Sequence, residues 1–202
     1  MVCHEFKGGI GTSSRQAKIE GQLYTVGVLV QANYGIRDTL RIAGVPVGQH
    51  LRQHRVYTDD KVVHRGEDQV EGSSRDMGSI IIVVATDAPL LSQQLKRIAR
   101  RAALGLARNG SYAGNGSGDL FIAFSTANAG ATQSSALNTA RYLGEGLLDD
   151  LFRATVEGTE EAIVNALVAA RDMRGQDGHR VLAIPHDELR AVLRQYNRLE
   201  ER

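Results

Sequence analysis

Cysteine is nearly absent: Cys3 is the only one in 202 residues. That excludes an internal disulfide framework and any metal site built from several thiolates, and it points mildly to a reducing compartment. Charge of one sign is missing too. Lys and Arg number 24 and Asp and Glu 23, a net charge of +1, so no broad attraction to nucleic acid or to an anionic membrane is built in. The local exception is the basic run Lys96–Arg97–Ile98–Ala99–Arg100–Arg101, which on a helix reads as a solvated face. Long apolar runs are also lacking. The longest, Ile80 to Ala85, suits a strand and not a membrane span, and the opening Met1-Val-Cys-His-Glu-Phe-Lys has no signal-peptide core. A cytoplasmic location is the expectation that follows. What is present, 42% hydrophobic and 23% charged residues, is the make-up of a globular chain able to build one sizeable core.

The chain has two textures. Residues 1–78 are glycine-rich and strand-like. Tyr24, Val26, Val28 and Val30 alternate with Thr25, Gly27, Leu29 and Gln31, the period-two pattern of a strand. Leu40 to Val47 is broken by Gly44 and Pro46 and predicts an edge strand or an irregular segment. His50 to Asp76 is polar and predicts a long loop or mobile linker. From Ser79 the pattern sharpens. Ser79 to Thr86 is continuous and β-branched, which predicts a strand buried on both faces, with Asp87 as the cap of the next helix. Leu91, Leu95, Ile98, Ala102 and Leu106 follow at helical spacing and stop at Asn109-Gly110. Leu120 to Ser125 predicts a second buried strand. A long helix is then expected to carry Leu137, Ala140, Leu143, Leu147, Leu151 and Phe152, with Thr159 capping another through Ala170. Val181 to Ile184 predicts a short strand, and Asp187 opens a terminal helix bearing Leu189, Val192, Leu193 and Tyr196. Strands and helices in these proportions argue for sheets covered by helices.

Chemistry concentrates at a few places. Asp76-Met77-Gly78-Ser79 lies where the polar linker meets the β-branched run; taken alone, Gly-Ser before a strand is an ordinary turn. Asn33 reads alone as a strand-end turn residue, and Gly114-Asn-Gly-Ser-Gly-Asp119 as a turn ahead of a strand. Gly9-Ile-Gly11-Thr-Ser-Ser begins like a dinucleotide fingerprint but lacks the last glycine and the strand-turn-helix setting. His50 and His54 have no acidic or cysteine partner at metal spacing and read as surface residues. No Ser-His-Asp set is recognisable in the sequence, since a triad is defined by geometry.

Taken together, these stretches resemble a known family. Ser79-Ile-Ile-Ile-Val-Val-Ala-Thr-Asp-Ala-Pro-Leu-Leu is similar to the start of the nucleophile-bearing chain in the L-aminopeptidase/D-esterase and β-peptidyl aminopeptidase family, peptidase family S58. His4-Glu-Phe-Lys-Gly-Gly-Ile-Gly-Thr-Ser, Val28-Leu-Val-Gln-Ala-Asn-Tyr-Gly, Gly114-Asn-Gly-Ser-Gly-Asp with Phe121-Ile-Ala-Phe-Ser-Thr-Ala-Asn, and Ile184-Pro-His-Asp resemble it in the same order. The resemblance implies a self-cutting N-terminal-nucleophile hydrolase with an α/β fold in four layers, α-β-β-α, two sheets packed face to face between helices. It implies autocleavage between Gly78 and Ser79, so that residues 1–78 and 79–202 become two chains of one domain. Ser79 then serves as nucleophile, Asn33 helps stabilise the oxyanion, and Ser117 and Asp119 hold and tune the new amine. The family also uses glutamate at the position of Asp119. The implied substrates are short peptides, amino-acid amides or esters with a free amine; no metal or organic cofactor is implied, and a homo-oligomer of processed subunits is.

The physical logic of that layout is simple. A serine hydroxyl is a weak nucleophile and needs an adjacent base. Cutting before Ser79 frees an α-amine whose ordinary pKa is about 7.7–8.0, partly neutral near pH 7, and able to take the hydroxyl proton. Family members also carry a considerable segment ahead of the part resembling His4-Glu-Phe-Lys-Gly-Gly, with strands and active-site residues, a tyrosine among them, that have no counterpart in this sequence. Two alternatives stand beside the hydrolase reading. An acyltransferase of the ornithine acetyltransferase type would cut before threonine, which Gly78-Ser79 disfavours. A non-catalytic scaffold would have no need for Ser79, Asn33, Ser117 and Asp119 together.

Overall fold

The computed structural model describes residues 1–54, 57–58, 78–131, 133–134 and 136–200. The polar stretch expected to be a loop lies mostly outside the described residues, as do Asp76 and Met77.

The chain opens with a small hairpin, β1 (Val2–Cys3) and β2 (Phe6–Lys7), and continues into two long strands, β3 (Gly9–Ile19) and β4 (Gln22–Asn33). Glu20 and Gly21 join them with φ of 48° and 81°, the left-handed pair that matches strand twist in a two-residue hairpin. An irregular segment follows, with a single turn of 3-10 helix at Arg37–Thr39, a bridge between Ile42 and Val45, and a short α1 (Val47–His50). Thus Leu40 to Val47 takes the irregular form of the two expected. β5 (Tyr57–Thr58) is a fragment of strand. β6 (Ser79–Thr86), α2 (Ser92–Arg108) and β7 (Leu120–Ser125) form a strand-helix-strand unit, followed by α3 (Asp149–Val168). β8 (Met173–Arg174), β9 (Arg180–Val181) and α4 (His186–Gln195) complete the chain.

The main sheet has four strands in the order β3-β4-β6-β7. β3, β4 and β6 are antiparallel neighbours, whereas β7 runs parallel to β6, as a helical crossover requires. Both long helices lie on one face, α3 across β3 and β4 and α2 over β6 and β7, packed against each other. Side chains alternate accordingly. Val26, Val28, Val30, Ile80, Ile82 and Val84 are buried beneath the helices, each such aliphatic side chain contributing roughly 1.5–3 kcal/mol. α3 comes very close to β3: a Cβ on Gly11 would lie 1.9 Å from the Ala162 carbonyl oxygen. Ser13 Oγ donates to Gly158 O at 2.6 Å and Asn165 Nδ2 to Thr12 O at 2.9 Å. Gly9-Ile-Gly11 is therefore strand backbone against a helix and not a phosphate loop.

Four expectations are corrected. β6 and β7 are not buried on both faces: Ile81 and Val83 are half-buried, while Leu120 and Ile122 are 58% and 53% exposed. A continuous β-branched run hides an alternation that only burial reveals. The helix expected around Leu137 does not form. Leu137 is 91% exposed, and the described residues between Thr126 and Leu148 are irregular apart from a 3-10 turn at Glu145–Leu147. Gly144 and Gly146 interrupt the leucine spacing there. Nor does Thr159 cap a helix. It is buried inside α3, where a Cβ on Gly105 of α2 would meet its Cβ at 2.6 Å, so two helices were expected where one long one crosses the sheet. Finally, Asp87 and Asp187 are not caps. Asp87 accepts the Thr25 amide at 2.7 Å, and α2 instead starts with Gln94 Oε1 accepting the Leu91 amide. Asp187 lies within the first turn of α4, after Pro185.

Candidate active site

Ser79 is the first residue of β6 and sits directly opposite Asn33, the last residue of β4. Facing residues on antiparallel strands point their side chains to the same side. Here that side is the one away from the helices, where Asn33 is exposed and Ser79 half-exposed. Val26, Val28 and Val30 of β4 and Ile80, Ile82 and Val84 of β6 turn inward, with Ile81 and Val83 on the opposite face, so the register puts Ser79 and Asn33 outward together.

The loop ahead of β7 closes over this corner. The Gly118 amide donates to Ser79 Oγ at 3.0 Å. Because Oγ accepts there, its proton is left to be given elsewhere. A Cβ at Gly118 would lie 3.4 Å from that oxygen, in ordinary contact with it. Asp119 Oδ1 accepts the Ile80 amide at 3.0 Å, which ties the start of β7 to the residue after the nucleophile candidate. Ser117 precedes Gly118 in the same loop, in a turn closed by its own amide on Gly114 O at 2.8 Å. The structure thus brings Ser79, Asn33 and Asp119 to one corner, with Ser117 in the loop between.

Gly78 is wedged on the other side. A Cβ there would lie 2.3 Å from Asn33 O and 2.6 Å from Tyr34 Cα. Only glycine fits, because the bond before Ser79 is pressed against the end of β4.

Behind the corner sits a buried cation. Arg37 is 4% exposed, and its guanidinium lies 3.6 Å from the centre of the Phe6 ring. It donates to four carbonyl oxygens: His4 at 3.3 Å, Leu51 at 3.1 Å, His54 at 2.6 Å and Glu5 at 2.5 Å. Burial lowers its pKa to about 10, with Glu5 and Asp38 pulling the other way less strongly, so it stays charged at neutral pH. It staples the β1–β2 turn to the segment after β4.

Sequence reasoning missed Gly118, Arg37 and the Val2 amide, which donates to Asn33 Oδ1 at 2.9 Å. Backbone amides carry no side-chain signature. Only the glycine richness of 114–118 hinted that backbone approaches something there. The two histidines, expected on the surface, are half-buried and each has a partner: His50 Nε2 is 3.0 Å from Tyr196 Oη and His54 Nε2 is 2.9 Å from Glu188. Among the described residues no group of three or more His, Cys, Asp or Glu side chains is placed to hold a metal ion. The basic run lies on α2, where Arg97 pairs with Glu145, and Arg97 and Arg101 both lie over Phe152. A charged cleft of about 290 Å³ between β3 and α3, lined by Arg15, Lys18, Asp150 and Arg153 among others, is near the far end of β3 from Ser79.

Comparison with known proteins decides the family. The profile of peptidase family S58 matches residues 1–181. The chain belongs to peptidase family S58. A beta-peptidyl aminopeptidase BapA of Sphingosinicella microcystinivorans is 47% identical over 201 residues, covering 98% of this chain and 50% of that protein. A crystal structure of a Pyrococcus horikoshii protein superposes with a TM-score of 0.85 at 45% identity, over 98% of this chain and 50% of that one. The L-aminopeptidase D-Ala-esterase/amidase of Ochrobactrum anthropi, a prototype for the serine aminopeptidases and a variant of the Ntn-hydrolase fold, does so at 0.81 and 48% identity, over 99% and 51%. This S58 chain therefore spans about half the length of the relatives it matches, and its fold is of the Ntn-hydrolase variant. Its main sheet carries the two long helices on one face.

Proposed function

We propose that this S58 chain is the catalytic part of a self-processing serine aminopeptidase that removes N-terminal residues from short peptides, amino-acid amides or esters. The observation that carries the reading is the corner itself. A serine hydroxyl at the start of a strand accepts a backbone N–H, faces an asparagine carboxamide, and follows a glycine with no room for a side chain.

In the first reaction Ser79 Oγ attacks the Gly78 carbonyl carbon. The C–N bond to Ser79 breaks, the hydroxyl proton ends on the departing nitrogen, and Gly78 is left as an ester on Oγ. Water hydrolyses the ester, giving a Gly78 carboxylate and a free Ser79 amine. In the second reaction that amine takes the Oγ proton while Oγ attacks the substrate acyl carbon. The scissile C–N or C–O bond then breaks, and the Ser79 ammonium returns the proton to the departing amine or alcohol. Water later hydrolyses the acyl-enzyme to the free acid and the Ser79 hydroxyl. The Asn33 NH₂ stabilises the oxyanion, an effect worth roughly 3–4 kcal/mol in comparable enzymes. Asp119, held on the Ile80 amide, sets its carboxylate beside the residue that will bear the new amine, where negative charge favours the protonated form; Ser117 supplies a hydroxyl in the same loop. The resemblance also supports a homo-oligomer of processed subunits, and a single buried thiol, Cys3, fits a reducing compartment such as the cytoplasm.

Denaturing mass spectrometry tests the first step. The chain should resolve into two fragments ending and beginning at Gly78 and Ser79, while Ser79→Ala should stay whole. An uncut parent chain, or cutting that survives in Ser79→Ala, contradicts the assignment of the nucleophile.

A further inference from the structure

Asn33 ends in a carboxamide with one accepting and one donating end. Which end faces where is decided by its partners. The Val2 amide lies 2.9 Å from Oδ1, and an N–H can only donate, so Oδ1 must turn toward β1 and the NH₂ away from it. We propose that the Val2 backbone amide is a positioning group for Asn33, holding the carboxamide so that its NH₂ is presented on the sheet face that carries Ser79. The inference rests on the reading of Asn33 as an oxyanion donor.

The surroundings are built to keep Val2 in place. The β1–β2 turn is made by His4 and Glu5, both left-handed at φ of 45° and 63°. Such a turn normally takes Asn and Gly, and non-glycine residues in that region are strained unless neighbours over-determine them. Neighbours do so here. The His4 amide donates to Tyr34 O at 2.7 Å, His4 Nδ1 lies 2.9 Å from Ile36 O, and Arg37 binds the carbonyls of both turn residues. Across the hairpin, a Cβ on Gly8 would lie 2.4 Å from Ala32 O and 2.8 Å from Cys3 Cβ, so the hairpin is clamped against the last residues of β4. The strain is held next to the one side chain that Val2 orients. Without the Val2 bond, the terminal torsion of an asparagine is broad and nearly two-fold, and NH₂ and oxygen would exchange places.

The test uses a substitution that removes one hydrogen. Val2→Pro deletes the amide N–H at the first residue of a strand, where proline is tolerated; Val2→Ala keeps it. Self-cleavage of freshly synthesised chain is followed by denaturing mass spectrometry for wild type, both Val2 variants, Asn33→Ala, and Val2→Pro combined with Asn33→Ala. Val2→Ala should cut at the wild-type rate and Val2→Pro about tenfold more slowly, less than the roughly hundredfold loss of a full 1 Å displacement because the carboxamide still visits the productive orientation. Asn33→Ala should be slower by about 10²–10³-fold, and adding Val2→Pro to it should change nothing further. Equal rates for the two Val2 variants overturn the proposal, as does a full Val2→Pro effect in the Asn33→Ala background. If the wild-type chain is not cut, the Ser79 assignment fails, and the Val2 contact is read by itself. In Ser79→Ala protein the Val2 amide should exchange with solvent at least about tenfold faster once Asn33 is also alanine; unchanged exchange overturns the positioning role.

Discussion

At the scale of single residues, the corner depends on atoms that are missing as much as on those present. Gly78 leaves no space for even a methyl group, since its Cβ position falls 2.3 Å from the Asn33 carbonyl oxygen. Gly78→Ala must push the peptide bond away from Asn33 or push the end of β4 aside. Either movement separates Ser79 Oγ from the carbonyl carbon it attacks, and a shift near 1 Å is enough for about a hundredfold loss. We expect Gly78→Ala to slow self-cleavage by about that factor while leaving the melting temperature within a few degrees, as followed by timed denaturing gels alongside thermal unfolding. Ser79 itself was a candidate in the sequence through the resemblance of its motif, its place before a β-branched run being by itself that of an ordinary turn. The amides that Gly118 gives to Ser79 Oγ and Val2 gives to Asn33 Oδ1 were not, because any residue type can supply an N–H and only the path of the chain brings one to a given oxygen.

At the scale of elements, periodicity was a good guide where one face alone decided burial. The alternation from Tyr24 to Gln31 gave β4, and the three-and-four spacing from Leu91 to Leu106 gave α2. It misled where a local signal competed with a distant one. Thr159 beside Glu160 and Glu161 looks like a helix start, yet the small groove at Gly105 accepts its side chain in mid-helix. The Arg37 staple was invisible because its partners are carbonyls from residues 4, 5, 51 and 54. Removing it would strand several buried acceptors, each worth about 1–3 kcal/mol when left unpaired. Arg37→Met, which keeps some contact with Phe6, should therefore lower stability by about 3 kcal/mol or more. A denaturant titration should show this as an earlier midpoint with an unchanged slope.

At the scale of the whole molecule, one face of the sheet is closed by α2 and α3 and the other carries Ile10, Leu29, Leu120, Ile122 and Phe124 in the open. The closed side is packed to contact. Gly11→Ala would drive a methyl into the Ala162 carbonyl, 1.9 Å away. An overpacked interface of this kind is destabilised by about 1–3 kcal/mol, so calorimetry of Gly11→Ala should show a melting temperature lower by several degrees.

The ladder between β4 and β6 runs from Val26 opposite Thr86 to Asn33 opposite Ser79, and the proposed scission lies at its very end. Cutting there leaves one strand of the central pair on each product chain. The native molecule would look unchanged, yet its folding would have changed order. A precursor finds its pairing within one chain at a rate independent of dilution, whereas two separated pieces must meet. Maturation would then convert a reversible, unimolecular equilibrium into a bimolecular one, and the finished protein would be preserved by how slowly it opens and not by how readily it could form again.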